Sequence, residues 1–522
     1  MESFVQVRKR GGQEYLYEVT PYYDKEKKQI RQTVKYLGKN VDGKPVKVRE
    51  TAKKPRRALG YGEFQPLLKI VEELGLKEIL QDELPDRDVK TALLLAFNRV
   101  LRPVSMRNVE SWYEASYLSE QSEFRDLQTT SQRLSEFLER IGESDASTGL
   151  FKGMIQRFST GALIYDLTSL SSYSKLINML EYGYNRDGLS TAQVNLSIVT
   201  DKDSGIPLMY DVYPGSIVDV STLFNTVRRI KDLGIARYTM IIDRGFFSKD
   251  NLQLLFDENV VFVIPASTTL KSVKEMITSL HDDIKDPDNL RKYHDTVIFV
   301  KPVSIDVDGL VVKGYYYYDR NRENLDTNLF YKRLYNVVDE LKNRHIKNPY
   351  DTERIVRSIA GKLYNYIEVQ RNIDSSLTVT IKKNAVSQRI NRMGRYILCY
   401  HGEMTWEECL RTYKERDQVE KRFHHLKNDL DAVPLNVRKE STMKGFLFIC
   451  FLALILRMRL QKHLEETRLD KKYCVEDLIL ELEKIHMIKL EDGDWLLSEL
   501  TKKQKDIIER MSLESCYQKT GK

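Results

Sequence analysis

The chain has 522 residues, 41% of them apolar, which at about 150 residues per domain is material for three or four cores. Charged residues reach 30% and Gly plus Pro only 38, so collagen-like, linker-like and low-complexity chains are excluded. The formal charge of +7 is unevenly placed: residues 1 to 60 hold 16 Lys or Arg against 7 Asp or Glu, while the other 462 residues sum to −2. Such a segment is either a solvated basic surface or the footprint of a polyanion, for which nucleic acid is the expected partner.

Residues 4 to 48 alternate strand-like pieces (FVQVRKR, EYLYEVTPYY, QTVKYLG) with Gly and Asp turns, which predicts a small basic β-rich module over 1–57. KKPRR at 53 to 57 reads as a linker. From Phe64 to about Phe158 apolar residues recur at three- and four-residue spacings, with breaks at Pro85, Pro103 and Gly142, and this predicts a compact helical domain over 58–160. Short apolar strands follow: ALIYDLT (162–168), QVNLSIVT (193–200) and PLMYDVY (207–213), the last two about a turn at Asp203-Ser204-Gly205. A helix from Asp219 to about Leu233, a strand TMIID (239–243), a helix near 249–256 and a strand VVFVI (260–264) complete the order β-β-β-α-β-α-β. That order is the one found in ribonuclease-H-like cores, so the expected fold class is a multidomain α/β protein with such a mixed sheet.

Residues 266–395 then interrupt the core with strand-like TVIFVKPV, GLVVKGYYYY and LTVTIKK, an expected inserted β subdomain. Within it Tyr315 to Tyr318 are expected to alternate, two packed and two exposed. The core divides accordingly into a first half at 161–265 and a second at 396–470. In the second half, Thr405 and Glu408 stand three apart as a capping box for a helix from Trp406 to about Asp429. The apolar run Phe446 to Leu456 falls short of the ~20 residues of a membrane span and reads as a buried core helix. A helical tail is expected over 471–522. With no apolar signal segment at the start, a cytoplasmic protein is expected, without a membrane partner. Five cysteines without a C-x-x-C pair predict reduced, mostly buried thiols.

On the capped helix, Tyr413, Arg416, Glu420 and Lys427 fall within about 60° of one another, presenting a carboxylate among cations. Val419, Phe423, Leu426 and Leu430 form the adjoining stripe to bury. Asp166 in IYDLTS and Asp243 in IIDRGF end core strands, where functional groups of α/β sheets collect. With Glu420 they make three carboxylates on separate elements, a donor set suited to Mg²⁺. The eight histidines form no H-E-x-x-H, and His424-His425 read as surface or DNA-facing groups.

The spacing Y-x2-R-x3-E-x6-K resembles the signature of DDE transposases of bacterial insertion sequences, and the resemblance extends to DLTSLS around Asp166 and Asp-Arg at 243–244. It covers roughly residues 160 to 460. It implies that Asp166, Asp243 and Glu420 are catalytic and bind two divalent ions, Mg²⁺ or Mn²⁺. It further implies that Tyr413, Arg416, Lys427 and Arg244 contact DNA, and that the partners are the element's terminal inverted repeats and a target duplex, held by a homodimer. The chain would be nucleoid-associated when bound and would need no ATP, in keeping with the lack of a G-x4-G-K-[ST] loop. None of Trp112, Trp406 or Trp495 lies in the insertion, where hairpin-forming relatives carry a tryptophan. Two rivals stay open: a catalytically silent DNA-binding regulator, and a metal-dependent nuclease without strand transfer.

Overall fold

The computed structural model describes residues 2–10, 12–24, 29–46, 54–174, 176–183, 191–217, 219–235, 237–414, 430, 435 and 437–517. They divide into two units, Met1–Gly60 with Ile485–Glu499 and Tyr517–Lys522, and Tyr61–Lys484 with Leu500–Cys516.

In the first unit, β1 (Phe4–Arg10), β2 (Gln13–Asp24), β3 (Gln29–Val41) and β4 (Lys44–Val46) form an antiparallel sheet in that order. Arg10 pairs with Gln13, and Gly12 between them has a φ of 76° that glycine takes without strain. A second sheet joins β5 (Pro55–Gly60) to β17 (His486–Leu490) and β18 (Trp495–Leu497). This corrects two expectations: Pro55, Arg56 and Arg57 are strand and not linker, and the region 471–522 contains a β-hairpin besides its helices. The pairing strands lie more than 400 residues apart, so no local turn signal announces it.

The second unit begins with α1 (Phe64–Leu74), α2 (Leu76–Gln81), α3 (Asp86–Leu101), α4 (Val109–Glu114), α5 (Ser131–Glu143) and α6 (Ala146–Phe158). They do not close a core by themselves. The apolar helix α14 (Glu440–Glu466) packs on α1, α3 and α5, burying every residue from Gly445 to Arg457. Among the described residues no helix is long and apolar enough to cross a membrane. Gly142, expected as a break, lies inside α5, and its role is close approach: a Cβ there would collide with the Ser441 carbonyl, and one at Gly445 with the Leu138 carbonyl. Helices α15 (Val475–Leu482) and α16 (Lys502–Arg510) complete the C-terminal part.

Between these helices the chain runs through β6 (Ala162–Ser171), β7 (Gln193–Asp201), β8 (Pro207–Pro214), α7 (Asp219–Asp232), β9 (Thr239–Ile242), α8 (Lys249–Asp257) and β10 (Val261–Pro265). It continues through α9 (Lys271–Ser279), β11 (Leu290–Tyr293), β12 (Thr296–Val307), β13 (Leu310–Tyr318), α10 (Arg320–Lys342), α11 (Thr352–Ala360), β14 (Ile367–Arg371), β15 (Leu377–Ile381) and α12 (Lys383–Ile390) to β16 (Arg395–His401) and α13 (Trp406–Lys414). One nine-stranded mixed sheet has the order β11-β12-β13-β16-β10-β9-β6-β7-β8. The β6/β9 and β9/β10 pairs are parallel and the others antiparallel.

The stretch 266–395 is therefore not one inserted body. Strands β11 to β13 extend the main sheet through β13 and β16, and only the lobe after Tyr318 has a core of its own, built from residues such as Phe330, Leu334, Val356 and Ile367. The tyrosine run also differs from expectation: Tyr316, Tyr317 and Tyr318 are buried and Tyr315 half-buried. Both faces of β13 are covered, since Tyr317 donates to the Trp406 carbonyl (2.7 Å) and Tyr316 to that of Ile277 (3.4 Å). Of the free cysteines, Cys399, Cys409 and Cys450 are buried, Cys516 is half-buried and Cys474 is exposed.

Candidate active site

Asp166 owes its position to Tyr165. That side chain is fully buried, donates to Thr222 Oγ1 of α7 (3.1 Å) and packs edge-on against Phe246 (5.1 Å between centroids). Because side chains alternate along a strand, Asp166 points to the opposite face. The parallel β6/β9 ladder ends at Tyr165 beside Ile242, so the next residues, Asp166 and Asp243, lie side by side on strands about 4.8 Å apart. Each carboxylate accepts from the backbone N–H of the next residue, Asp166 from Leu167 (2.8 Å) and Asp243 from Arg244 (2.7 Å). Both aspartates are half-buried among fully buried strand neighbours, and Arg244 is exposed.

The same registers show what covers this face. Ile164, Ile241 and Val263 stand level on it, and Val263 packs with Cys409 and Leu410 of α13 and with Tyr413. On the other side Asp166 is level with Ile198, and Ile198 with Tyr210, whose ring packs on Phe151 of α6 and Phe451 of α14. The two aspartates thus lie between two helical covers. The capping box that starts α13 is formed: Glu408 accepts from the Thr405 N–H (2.9 Å) and the Glu408 N–H donates to Thr405 Oγ1 (3.2 Å).

Of the helix expected over 406–429, residues 406–414 are helical; Arg416, Val419, Glu420, Phe423, His424, His425, Leu426 and Lys427 lie outside the described residues. Both flanks of that stretch are placed. Tyr413 precedes it, half-buried over the β10–β16 part of the face. After it, Leu430 is buried, the Leu435 N–H donates to the Ser171 carbonyl (3.1 Å), and Ser172 Oγ donates to the Leu435 carbonyl (2.7 Å). The chain thus leaves one side of the aspartates and returns to the strand that carries Asp166. Ser171, the last residue of DLTSLS, and Ser172, which follows it, make this anchor, and neither carried a further signal in the sequence. A cavity of about 840 Å³ lies elsewhere, between the start of α5, the 104–107 loop and the start of α14, with Arg107, Arg438 and Lys439 on its rim.

Asp166 and Asp243 offer hard carboxylate oxygens from adjacent strands, which suits a divalent cation. Among the described residues no group of three His, Cys, Asp or Glu is placed to hold a metal, so this pair needs a further ligand to complete a site.

In α/β sheets ligands bind outside the carboxyl ends of the strands, which is where Asp166 and Asp243 stand. Residues 158–456, more than half of the chain, match the family described as Transposase DDE domain, and the chain belongs to that family. It is a DNA transposase, an enzyme that cuts DNA and transfers the strand, and enzymes of this family work with divalent metal ions. No curated protein matches the sequence. Among solved structures, the synaptic complex of piggyBac transposase with hairpin DNA is similar at 10% identity, covering 82% of each chain, with a TM-score of 0.37. The Drosophila P element transposase strand transfer complex is similar at 11% identity over 76% of this chain and 84% of that one, with a TM-score of 0.20.

Proposed function

We propose that the chain is the cut-and-paste transposase of a bacterial insertion sequence, with Asp166, Asp243 and Glu420 as its catalytic carboxylates. One observation carries the assignment: the two aspartates are register neighbours on the face covered by α13, and the chain that continues from α13 through Glu420 returns to Ser171 and Ser172 at the end of β6. The order β8-β7-β6-β9-β10, with β6, β9 and β10 parallel, supports reading this half of the sheet as a ribonuclease-H-like core. The helical region and the basic first unit are read as binding the element's terminal inverted repeats, in a homodimer acting in the cytoplasm.

Asp166, Asp243 and Glu420 would together hold two Mg²⁺ or Mn²⁺ ions. When bound, the ions supply Lewis acidity for the attacking water or 3′-hydroxyl and for the leaving oxygen. The chain's own residues supply the rest. Tyr413, Arg416, Lys427 and Arg244 hold phosphates of the element's end, and the bidentate fork of an arginine fixes their orientation as well as their charge. The backbone N–H groups of Leu167 and Arg244 fix the two aspartates in place. No side chain needs to become a covalent nucleophile, because one phosphodiester is exchanged for another; for the same reason no ATP is required.

The test uses the full chain, Mg²⁺ and a duplex carrying one flank of its reading frame. Cleavage at one terminus and joining of the liberated 3′ end to a second duplex are expected, both stopped by EDTA. Cleavage without joining would leave the metal nuclease, and binding without cleavage the silent regulator.

A further inference from the structure

A second basic surface is masked when charge is summed over long segments. The lobe of residues 320–395 holds 16 Lys or Arg against 8 Asp or Glu, a local +8 close to the +9 of residues 1 to 60. Five of those acids are already paired with arginines of the same lobe: Asp326 with Arg322, Glu340 with Arg344, Asp351 with Arg354, Glu353 with Arg357, and Glu323 with Arg395. By contrast Lys332, Arg333, Lys347, Lys382, Lys383 and Arg389 are exposed and make no ion pair among the described residues. Lys382 precedes α12, Lys383 and Arg389 lie on it and Arg392 follows in the turn after it, while Val386 and Ile390 pack into the lobe's core.

The registers place the base of this lobe. Tyr318 and Arg395, where the chain leaves and re-enters the main sheet, are paired with each other. Val263 is level with Ile241, so Pro265 is level with Asp243; Pro265 pairs with Leu398, and Arg395 lies three residues further in the same direction. With β10 between β9 and β16, Arg395 is two strands across and three residues beyond Asp243, about 14 Å at 3.3 Å per residue and 4.8 Å per strand. That is roughly four steps of a duplex rising 3.4 Å each.

We propose that the lobe is a second DNA-binding surface, whose cations hold the phosphate backbone of the target duplex at the sheet edge that carries Asp166 and Asp243. The assignment rests on the transposase reading. Contacts made to phosphates carry no base readout, which suits a duplex of no fixed sequence. A lobe with this net charge also repels itself until an anion neutralises it.

The experiment compares the full chain with its Lys382→Ala, Lys383→Ala, Arg389→Ala, Arg392→Ala combination. Binding of a random-sequence duplex is measured by fluorescence anisotropy at several salt concentrations. Each phosphate that is no longer neutralised takes about 0.9 from the slope of log K against log[salt], so the slope is expected to be shallower by about 3 to 4. Transfer of a pre-cleaved element end into a random duplex is expected to fall at least about tenfold more than cleavage of the intact end. Lys502→Ala, Lys503→Ala and Lys505→Ala together, on exposed positions of α16, are expected to leave the slope unchanged. An unchanged slope in the lobe combination, or the same flattening in the α16 combination, overturns the surface. Equal loss of cleavage and transfer, in a variant that melts like the parent, moves the lobe to the element's end and overturns the target assignment. Should the parent neither cleave nor join, the transposase reading fails, while the slope comparison still decides the lobe.

Discussion

Asp243→Asn is expected to lower strand cleavage and joining by at least about 10³-fold while leaving duplex binding within a few-fold. Loss of a partner one shell removed from a metal already costs about 10–100-fold, and removing a ligand's charge costs more. Stability should not change, which separates function from packing at this position. Asp243 accepts the Arg244 N–H at the start of the 244–246 turn, and asparagine caps as well as aspartate. Asp166→Asn and Glu420→Gln are expected to give the same loss, and a double variant no more than a single one, because ligands of one site act as a unit. Mg²⁺-dependent cleavage retained by purified Asp243→Asn would return the residue to the role of a turn cap.

Gly445→Ala is expected to have the largest effect on stability. The added Cβ would meet the Leu138 carbonyl, backbone of the facing helix that cannot rotate away, and Gly142 meets Ser441 in the same crossing. Overpacking in cores costs about 1–3 kcal/mol where side chains can shift, so about 3 kcal/mol or more is expected where they cannot. Lys444→Ala, at the neighbouring exposed position, should stay within about 0.5 kcal/mol. Activity should fall with stability, since α14 also packs Phe451 on Tyr210 across the face that carries Asp166. Denaturation midpoints that coincide for Gly445→Ala and parent would mean the two helices do not cross this closely.

What the sequence showed was local. The capping box at Thr405 and Glu408, the hairpin at Asp203-Ser204-Gly205 and the aspartates at strand ends follow from patterns a few residues long, and all are formed. Pairing over long separations was not visible. KKPRR at 53 to 57 reads as a linker because the strand that pairs with Pro55–Gly60 begins only at His486, and the alternation of β12 and β13 does not say which sheet they join. Burial of Tyr316 and Tyr317 depends on α9 and α13 covering both faces of one strand, which no periodicity within the strand reports. The charge of the lobe escaped for a similar reason: its +8 is balanced by acids elsewhere, so the sum over residues 61 to 522 is −2. Of the site, the aspartates are placed by register, while Arg416, Glu420 and Lys427 rest on spacing and on their described flanks.

Metal-directed backbone cleavage tests the central claim most directly, because it asks whether three distant parts of the chain surround the same ions. Fe²⁺ takes the place of Mg²⁺, and ascorbate with peroxide produces radicals that cut nearby backbone; the fragments are mapped by mass spectrometry. The account requires cuts at three places, around 166, 243 and 420, all lost together in Asp166→Asn or Asp243→Asn. Cuts around 166 and 243 with none between 415 and 429 would contradict it, since Glu420 would then stand away from the metal.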